Sequence, residues 1–209
     1  MNHTPLAERM RPKKLKDYIG QTHIIGENCG LRRAIETGNI PSMIFWGPPG
    51  IGKTTLAQII ANTVDRPFHT ISAINSGVKD IREIIQKVKN QGLFGSQNAI
   101  LFIDEIHRFS KSQQDSLLGA VEQGTLTLIG ATTENPSFEV ISALLSRSQV
   151  YTLQHHTKEE LIRLLDRAIK EDVELSKKTI TLKESEALIK VSGGDARKLL
   201  NALEIVVSQ

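Results

Sequence analysis

Short apolar runs alternate along this chain with longer stretches in which apolar residues recur every three or four positions. Ser42 to Trp46, Phe68 to Ser72, Leu126 to Ala131 and Val150 to Leu153 read as strands. Ala99 to Asp104 is apolar almost throughout, as expected of a central strand buried on both faces. Helices fall between them. Lys53 to Val64 carries Leu56, Ile59 and Ile60 on one face. Val78 to Asn90 places Ile81, Ile84, Ile85 and Val88 at the i, i+3, i+4, i+7 spacing, and Ser112 to Glu122 turns Leu117, Leu118 and Val121 inward. Strand and helix in alternation predict an α/β fold with a five-stranded parallel sheet. After His156 the pattern is helical only. Thr157 and Glu160 form a capping box, and Leu161, Leu164, Leu165 and Ala168 make the stripe behind it. Lys183 to Ser192 is a second helix, closed by Gly193 and Gly194. Asp195 to Val207 is a third, with Leu199, Leu200, Leu203 and Val206 on one side. The pattern thus predicts an α/β domain over 1–156 and a small three-helix domain over 157–209.

With 209 residues, 39% hydrophobic and 23% charged, the composition is that of an ordinary globular chain. No apolar run has the length of a bilayer span, and Met1 to Ala7 has no signal-peptide core. The expected location is cytoplasmic. Cys29 is the single cysteine, which excludes an internal disulfide and any Cys-Cys zinc spacing. The six histidines show no metal-ligand pattern, and the adjacent His155 and His156 read as a solvated strand end. A net charge of +3 and a pI near 9.0 permit a nucleic-acid partner without requiring one. The basic residues crowd the N-terminal arm: Arg9, Arg11, Lys13, Lys14 and Lys16.

Gly47-Pro48-Pro49-Gly50-Ile51-Gly52-Lys53-Thr54 fits the phosphate-loop pattern G-x-x-x-x-G-K-[ST], with a predicted strand before it and a helix after. Glycines let the backbone turn its N–H groups toward phosphate oxygens, and the helix N-terminus adds positive partial charge. Lys53 reaches β- and γ-phosphates, and the Thr54 hydroxyl suits magnesium. The buried strand Ile100 to Asp104 ends in two acids, Asp104 and Glu105. In open α/β sheets the carboxyl ends of strands face the ligand. Asp104 is then a magnesium residue, and Glu105 the group that orients and activates water. A small kinase is less fitting, because it would place an acceptor where Glu105 holds water. Asp104-Glu105-Ile106-His107 also spells a helicase-type box, but such helicases need two sheet domains and an arginine-rich final motif.

Gly47-Pro48-Pro49-Gly50, Asp104-Glu105 and Gly194-Asp195-Ala196-Arg197 resemble AAA+ ATPases of the clamp-loader clade. Leu6 to Pro12, Asp104 to Phe109 with Gln113-Gln114-Asp115, Ile129 to Phe138, and Leu144-Leu145-Ser146-Arg147 narrow the likeness. They are similar to the replication-associated recombination protein A family, bacterial relatives of the eukaryotic Werner-helicase-interacting ATPase. The run Ala131-Thr132-Thr133-Glu134-Asn135-Pro136-Ser137-Phe138 is its most specific part. The resemblance implies a phosphate-loop sheet domain followed by a helical lid. It puts Met10, Arg11, Pro12, Ile19 and Gly20 around the adenine, and Gly47 to Thr54 together with Thr55 on the phosphates. Thr133 falls at the sensor-1 place, with Thr132 the alternative. Arg147 falls at the arginine finger that acts in trans on a neighbour's ATP. Arg197 falls at sensor 2. Ser148 departs from the clade's usual cysteine after that arginine, which leaves the charge in place.

Arg108, Lys111 and Gln113 follow the two acids, in a region that faces DNA in related assemblies; a solvated helix start fits them equally. With aromatics at 4%, base stacking is not expected as the main mode of contact. The resemblance further implies DNA-stimulated ATP hydrolysis with magnesium at stalled replication forks and a nucleoid-associated location. It implies single-stranded or forked DNA and single-stranded-DNA-binding protein as partners. It also implies a homotetramer, gathered by a C-terminal region that this chain lacks, so the chain reads as an N-terminal fragment. The alternative is a clamp-loader-like structural subunit that binds ATP with little turnover. Glu105 and Arg147, either of which such a subunit can lose, favour the enzyme.

Overall fold

The computed structural model describes residues 4–92 and 98–208, the side chains of 91 and 92 excepted. Residues 1–3 of the Met1–Ala7 stretch lie outside the described residues. The sheet is five-stranded and parallel: β1 (Met43–Trp46), β2 (Phe68–Ser72), β3 (Ala99–Asp104), β4 (Leu126–Thr132) and β5 (Gln149–Thr152), in the order β2-β3-β4-β1-β5. Every residue of β4 is buried, and every residue of β3 except its last, Asp104. This is the burial expected of central strands covered on both faces. The register aligns Trp46 with Thr132 and Thr152, and Ser72 with Asp104, so the polar strand ends gather along one edge.

Among the described residues, four α-helices precede the second strand: α1 (Leu6–Arg9), α2 (Thr22–Ile25), α3 (Gly30–Thr37) and α4 (Lys53–Thr63). One face of the sheet packs Phe45, Phe102 and Ile129 against Leu31 and Ile35 of α3 and Leu56 and Ile60 of α4. The other packs Ile44, Leu101 and Leu128 against α5 (Val78–Gly92), α6 (Lys111–Glu122) and Leu144 of α8 (Ser142–Leu145), which follows the short α7 (Pro136–Glu139). Pattern reading does not reach α1, α2, α3, α7 or α8. Four of these are single turns, and α3 buries only Leu31 and Ile35. Such short segments carry too few apolar positions for a period to emerge.

A third core belongs to the helical unit: Leu161, Leu165 and Ala168 of α9 (Lys158–Glu171) against Leu199, Leu200 and Leu203 of α11 (Ala196–Val207), with α10 (Glu186–Ser192) beside them. The capping box at Thr157 and Glu160 is formed, and Gly193 closes α10 in the left-handed region. Helix α10 starts at Glu186, after Ser185, three residues later than the sequence suggests. Val206 is 58% exposed, not inward; Val207 packs on the core instead, continuing the i, i+4 row from Leu199 and Leu203. Leu6, fully buried, joins this third core, and Arg9 is held between Asp172 and Glu204. The N-terminal arm is therefore fastened to the helical unit across the mouth of the sheet.

Candidate nucleotide-binding cleft

The carboxyl edge of the sheet, the N-terminal arm and α11 enclose a cleft. Pro49, Gly50, Ile51, Gly52, Lys53, Thr54 and Thr55 line its floor, Asp104 and Glu105 one wall, Met10, Arg11, Pro12 and Ile19 another, and Arg197 the helical side. The remaining sequence candidates for the loop sit just behind. Gly47 N–H donates to the Thr132 carbonyl at 3.1 Å, and Gly47 and Pro48 present their carbonyls to the Lys53 ammonium at 2.6 and 2.7 Å. Burial holds the Lys53 pKa below its ordinary value, and Glu105 and Asp104 pull the other way. The ammonium is thus desolvated and within the field of both acids.

The loop is gripped from two sides. Gly50 has φ +71°, and its carbonyl accepts the Ala196 N–H at 3.2 Å. A Cβ there would run into the Asp195 carboxylate, which caps α11 by accepting the Lys198 N–H at 2.9 Å. The loop and the helix carrying Arg197 are therefore in direct contact. From the arm, Arg11 Nη1 donates to Thr55 Oγ1 at 3.1 Å. The hydroxyl of half-buried Tyr18 lies 3.2 and 3.3 Å from the Ile51 and Gly52 carbonyls, its pKa raised by desolvation and by Glu160. Arg11 also pairs with Glu8 and holds that carboxylate below the usual range.

Glu105 follows β3 in the left-handed region at φ 56°, rare for a residue with a side chain and costing about 1–3 kcal/mol. His107, missed by sequence reasoning as a site residue, lies against it. Its Nε2 is 3.3 Å from Glu105 Oε2, and its Nδ1 is 3.0 Å from Thr132 Oγ1. The helicase-like histidine thus ties the acid to the neighbouring strand. Thr132 is buried, and its hydroxyl also bonds the Glu134 backbone; Thr133 follows directly after β4, half-buried and outside the cleft lining.

His156 reverses the sequence expectation. It is not a solvated strand end: its side chain is 4% exposed and lines the cleft. The fold buries it because β5 leads directly into α9 beneath the arm. Gly20, expected at the adenine, lies behind the cleft lining, where a Cβ would meet His156 at 2.9 Å.

Arg147 sits at the opposite edge of the sheet, in a hollow formed with Ser42, Asn98 and Leu126 at the amino ends of β1, β3 and β4. That is about 15–20 Å from the cleft, the length of strand β3. Its guanidinium pairs with Glu122 Oε1 at 2.6 Å and donates to the Ala143 carbonyl at 2.8 Å. Arg108 and Lys111 are exposed beside the acids. Gln113 is committed within the fold, where its carboxamide accepts the Ser110 N–H at 2.8 Å in a capping box and donates to the Ser76 carbonyl at 3.1 Å. Those bonds engage its oxygen and one of its two amide hydrogens.

A loop, lysine and paired acids on the carboxyl edge, closed by a helical unit, are the architecture of a phosphate-loop nucleoside triphosphatase. The sequence matches the family described as ATPase family associated with various cellular activities (AAA) over residues 43–155. The chain belongs to this family. It is 50% identical over 206 residues to replication-associated recombination protein A of Haemophilus influenzae, covering 97% of this chain and 46% of that protein. It is 45% identical to ATPase WRNIP1 of Dictyostelium discoideum, covering 97% of this chain and 23% of that one. Among solved structures it is similar to the Thermotoga maritima RuvB Holliday junction branch migration motor, with TM-score 0.74, 30% identity, 94% of this chain and 64% of that chain covered. The chain spans about half the length of the bacterial relatives it matches. Among the described residues, no helix is long and apolar enough to cross a membrane.

Proposed function

We propose that this chain binds ATP with magnesium in the cleft and hydrolyses it, in the service of DNA maintenance and recombination at stalled replication forks. The observation that carries the reading is that Asp104 and Glu105 line the same cleft as Lys53 and the phosphate loop. Lys53 and the loop amides hold the β- and γ-phosphates. Thr54 and Asp104 supply one hydroxyl and one carboxylate, a hard oxygen set that fits magnesium. Bound there, the ion would neutralise charge on the β- and γ-oxygens. Glu105, held by His107, accepts a proton from water as the water oxygen bonds the γ-phosphorus. The bond to the bridging oxygen breaks, giving ADP and inorganic phosphate. By resemblance Thr133 takes the sensor role, with Thr132, bonded to His107, the alternative. Arg197 pairs with the γ-phosphate from α11.

Arg147, at the far edge of the sheet, acts on the ATP of a neighbouring protomer in an assembly, by resemblance a tetramer formed through a further C-terminal region. Exposed Arg108 and Lys111 meet DNA phosphates, and single-stranded-DNA-binding protein is a partner by the same resemblance. The same reading takes 1–156 as the nucleotide-binding unit and 157–209 as its lid, with the arm bridging both. A cytoplasmic, nucleoid-associated location follows from this role. The test is ATP turnover by the complete protein with and without forked, single-stranded and duplex DNA. Glu105→Gln should retain ATP binding and turn over at least ~100-fold more slowly; Lys53→Ala should lose binding. Turnover of Glu105→Gln near that of the unmodified protein would remove Glu105 as the base. Turnover indifferent to every DNA would remove the DNA link.

A further inference from the structure

His156 is the buried polar group in the cleft that phosphate chemistry does not explain. Its Nδ1 is buried without a hydrogen-bond partner. Leaving such an atom unpaired costs about 1–3 kcal/mol, so the ring draws its compensation from the one carboxylate set against it, Glu160. Nδ1 faces Glu160 Oε2 at 3.4 Å, an ion-pair distance without hydrogen-bond alignment, and that same oxygen accepts the Thr157 N–H at 3.0 Å. Glu160 is thereby anchored by the capping box at the start of α9. A bare nitrogen lone pair facing a carboxylate is repulsive, whereas a proton on Nδ1 makes the contact attractive. Glu160 therefore selects the Nδ1–H tautomer, and the other ring nitrogen, Nε2, is left as an acceptor. Burial lowers the imidazole pKa and opposes the raising effects of Glu160 and Asp195, so the ring keeps that acceptor near neutral pH. Ile19 and Leu164, which also line the cleft, offer apolar surface suited to a flat ring.

We infer that His156 reads the nucleotide base, its Nε2 accepting a hydrogen bond from the 6-amino group of adenine. Glu160 is a positioning residue that sets the tautomer. The inference rests on the nucleotide site proposed above. A 6-oxo purine presents an oxygen lone pair to the same nitrogen and is disfavoured, because a site built around one donor rejects the analogue that lacks it. His156 thus favours ATP over inosine triphosphate, which replaces that amino group with an oxygen.

Calorimetry of the 209-residue chain with ATP and with inosine triphosphate, both with magnesium, tests this. The expected result is ATP binding at least ~10-fold tighter. His156→Phe keeps a ring and removes the acceptor; it should bring the ratio of the two affinities toward one by weakening ATP, with inosine triphosphate little changed. Glu160→Gln, whose carboxamide tolerates either tautomer, should lower the ratio without removing His156, and it answers the question if the phenylalanine variant fails to fold. An unmodified chain that binds both nucleotides equally, or variants that keep the original ratio, would overturn the role of His156 and leave the nucleotide site standing. Binding of neither nucleotide would overturn both readings.

Discussion

Gly50→Ala probes the contact between phosphate loop and helical unit with one methyl group. Gly50 lies at φ +71°, where a side chain costs about 1–2 kcal/mol. Its new Cβ would also meet the Asp195 carboxylate. Relief requires that carboxylate to swing away, which gives up the cap on the Lys198 N–H, a loss of about 1 kcal/mol. The sum is about 2–3 kcal/mol, or roughly 4–12 °C in Tm for a chain of this size. Asp195→Ala alone removes only the cap and should cost about 1 kcal/mol. The two changes should then fail to add: with alanine at 195 the methyl at 50 displaces nothing, and the double variant costs about as much as Gly50→Ala alone. Thermal and urea unfolding of the four proteins closes the cycle, with an expected coupling of about 1 kcal/mol. Nucleotide affinity should fall with Gly50→Ala as well, because Arg197 rides on the helix that loses its cap. A shift of Tm below ~2 °C, or strict additivity with Asp195→Ala, would refute the idea that this glycine is required by the docking of α11.

Arg197→Ala should weaken ATP more than ADP, since only ATP offers a γ-phosphate for the guanidinium; equal losses would make Arg197 structural. Arg9→Met should lower stability by about 3 kcal/mol, the low end for breaking a buried pair, because Asp172 keeps N–H bonds from Glu174 and Leu175 at 3.1 and 3.0 Å. Arg9 holds the Asp172 carboxylate below the usual range, so this stabilisation is present above the unfolded carboxylate pKa of about 3.9 and is lost as pH falls through the folded-state value. Urea midpoints of the two proteins should therefore converge in acid, and a gap that stays constant to pH ~3 would contradict the pairing.

What the sequence determined by itself is the part carried by local order. The phosphate loop lies between a strand and a helix in eight consecutive residues, and Asp104 and Glu105 end an apolar strand, so position along the chain already implies position at the sheet edge. The strands, the capping box at Thr157 and the helical turn to three helices after His156 follow from periodicities and caps within a few residues. The tertiary structure decided what depends on distant segments meeting. Nothing local in the basic N-terminal arm marks Leu6 or Arg9 for packing, yet one is fully buried and the other is paired with Asp172, 163 positions away. Gln113 is polar at a helix start, and only the folded chain brings the Ser76 carbonyl to its amide. His156 reads as solvated because no local period marks it; its burial arises where β5, the arm and α9 converge. Arg147 lies near β5 in sequence, but the parallel sheet puts strand beginnings and strand ends on opposite edges, and that separation alone keeps the guanidinium away from its own cleft.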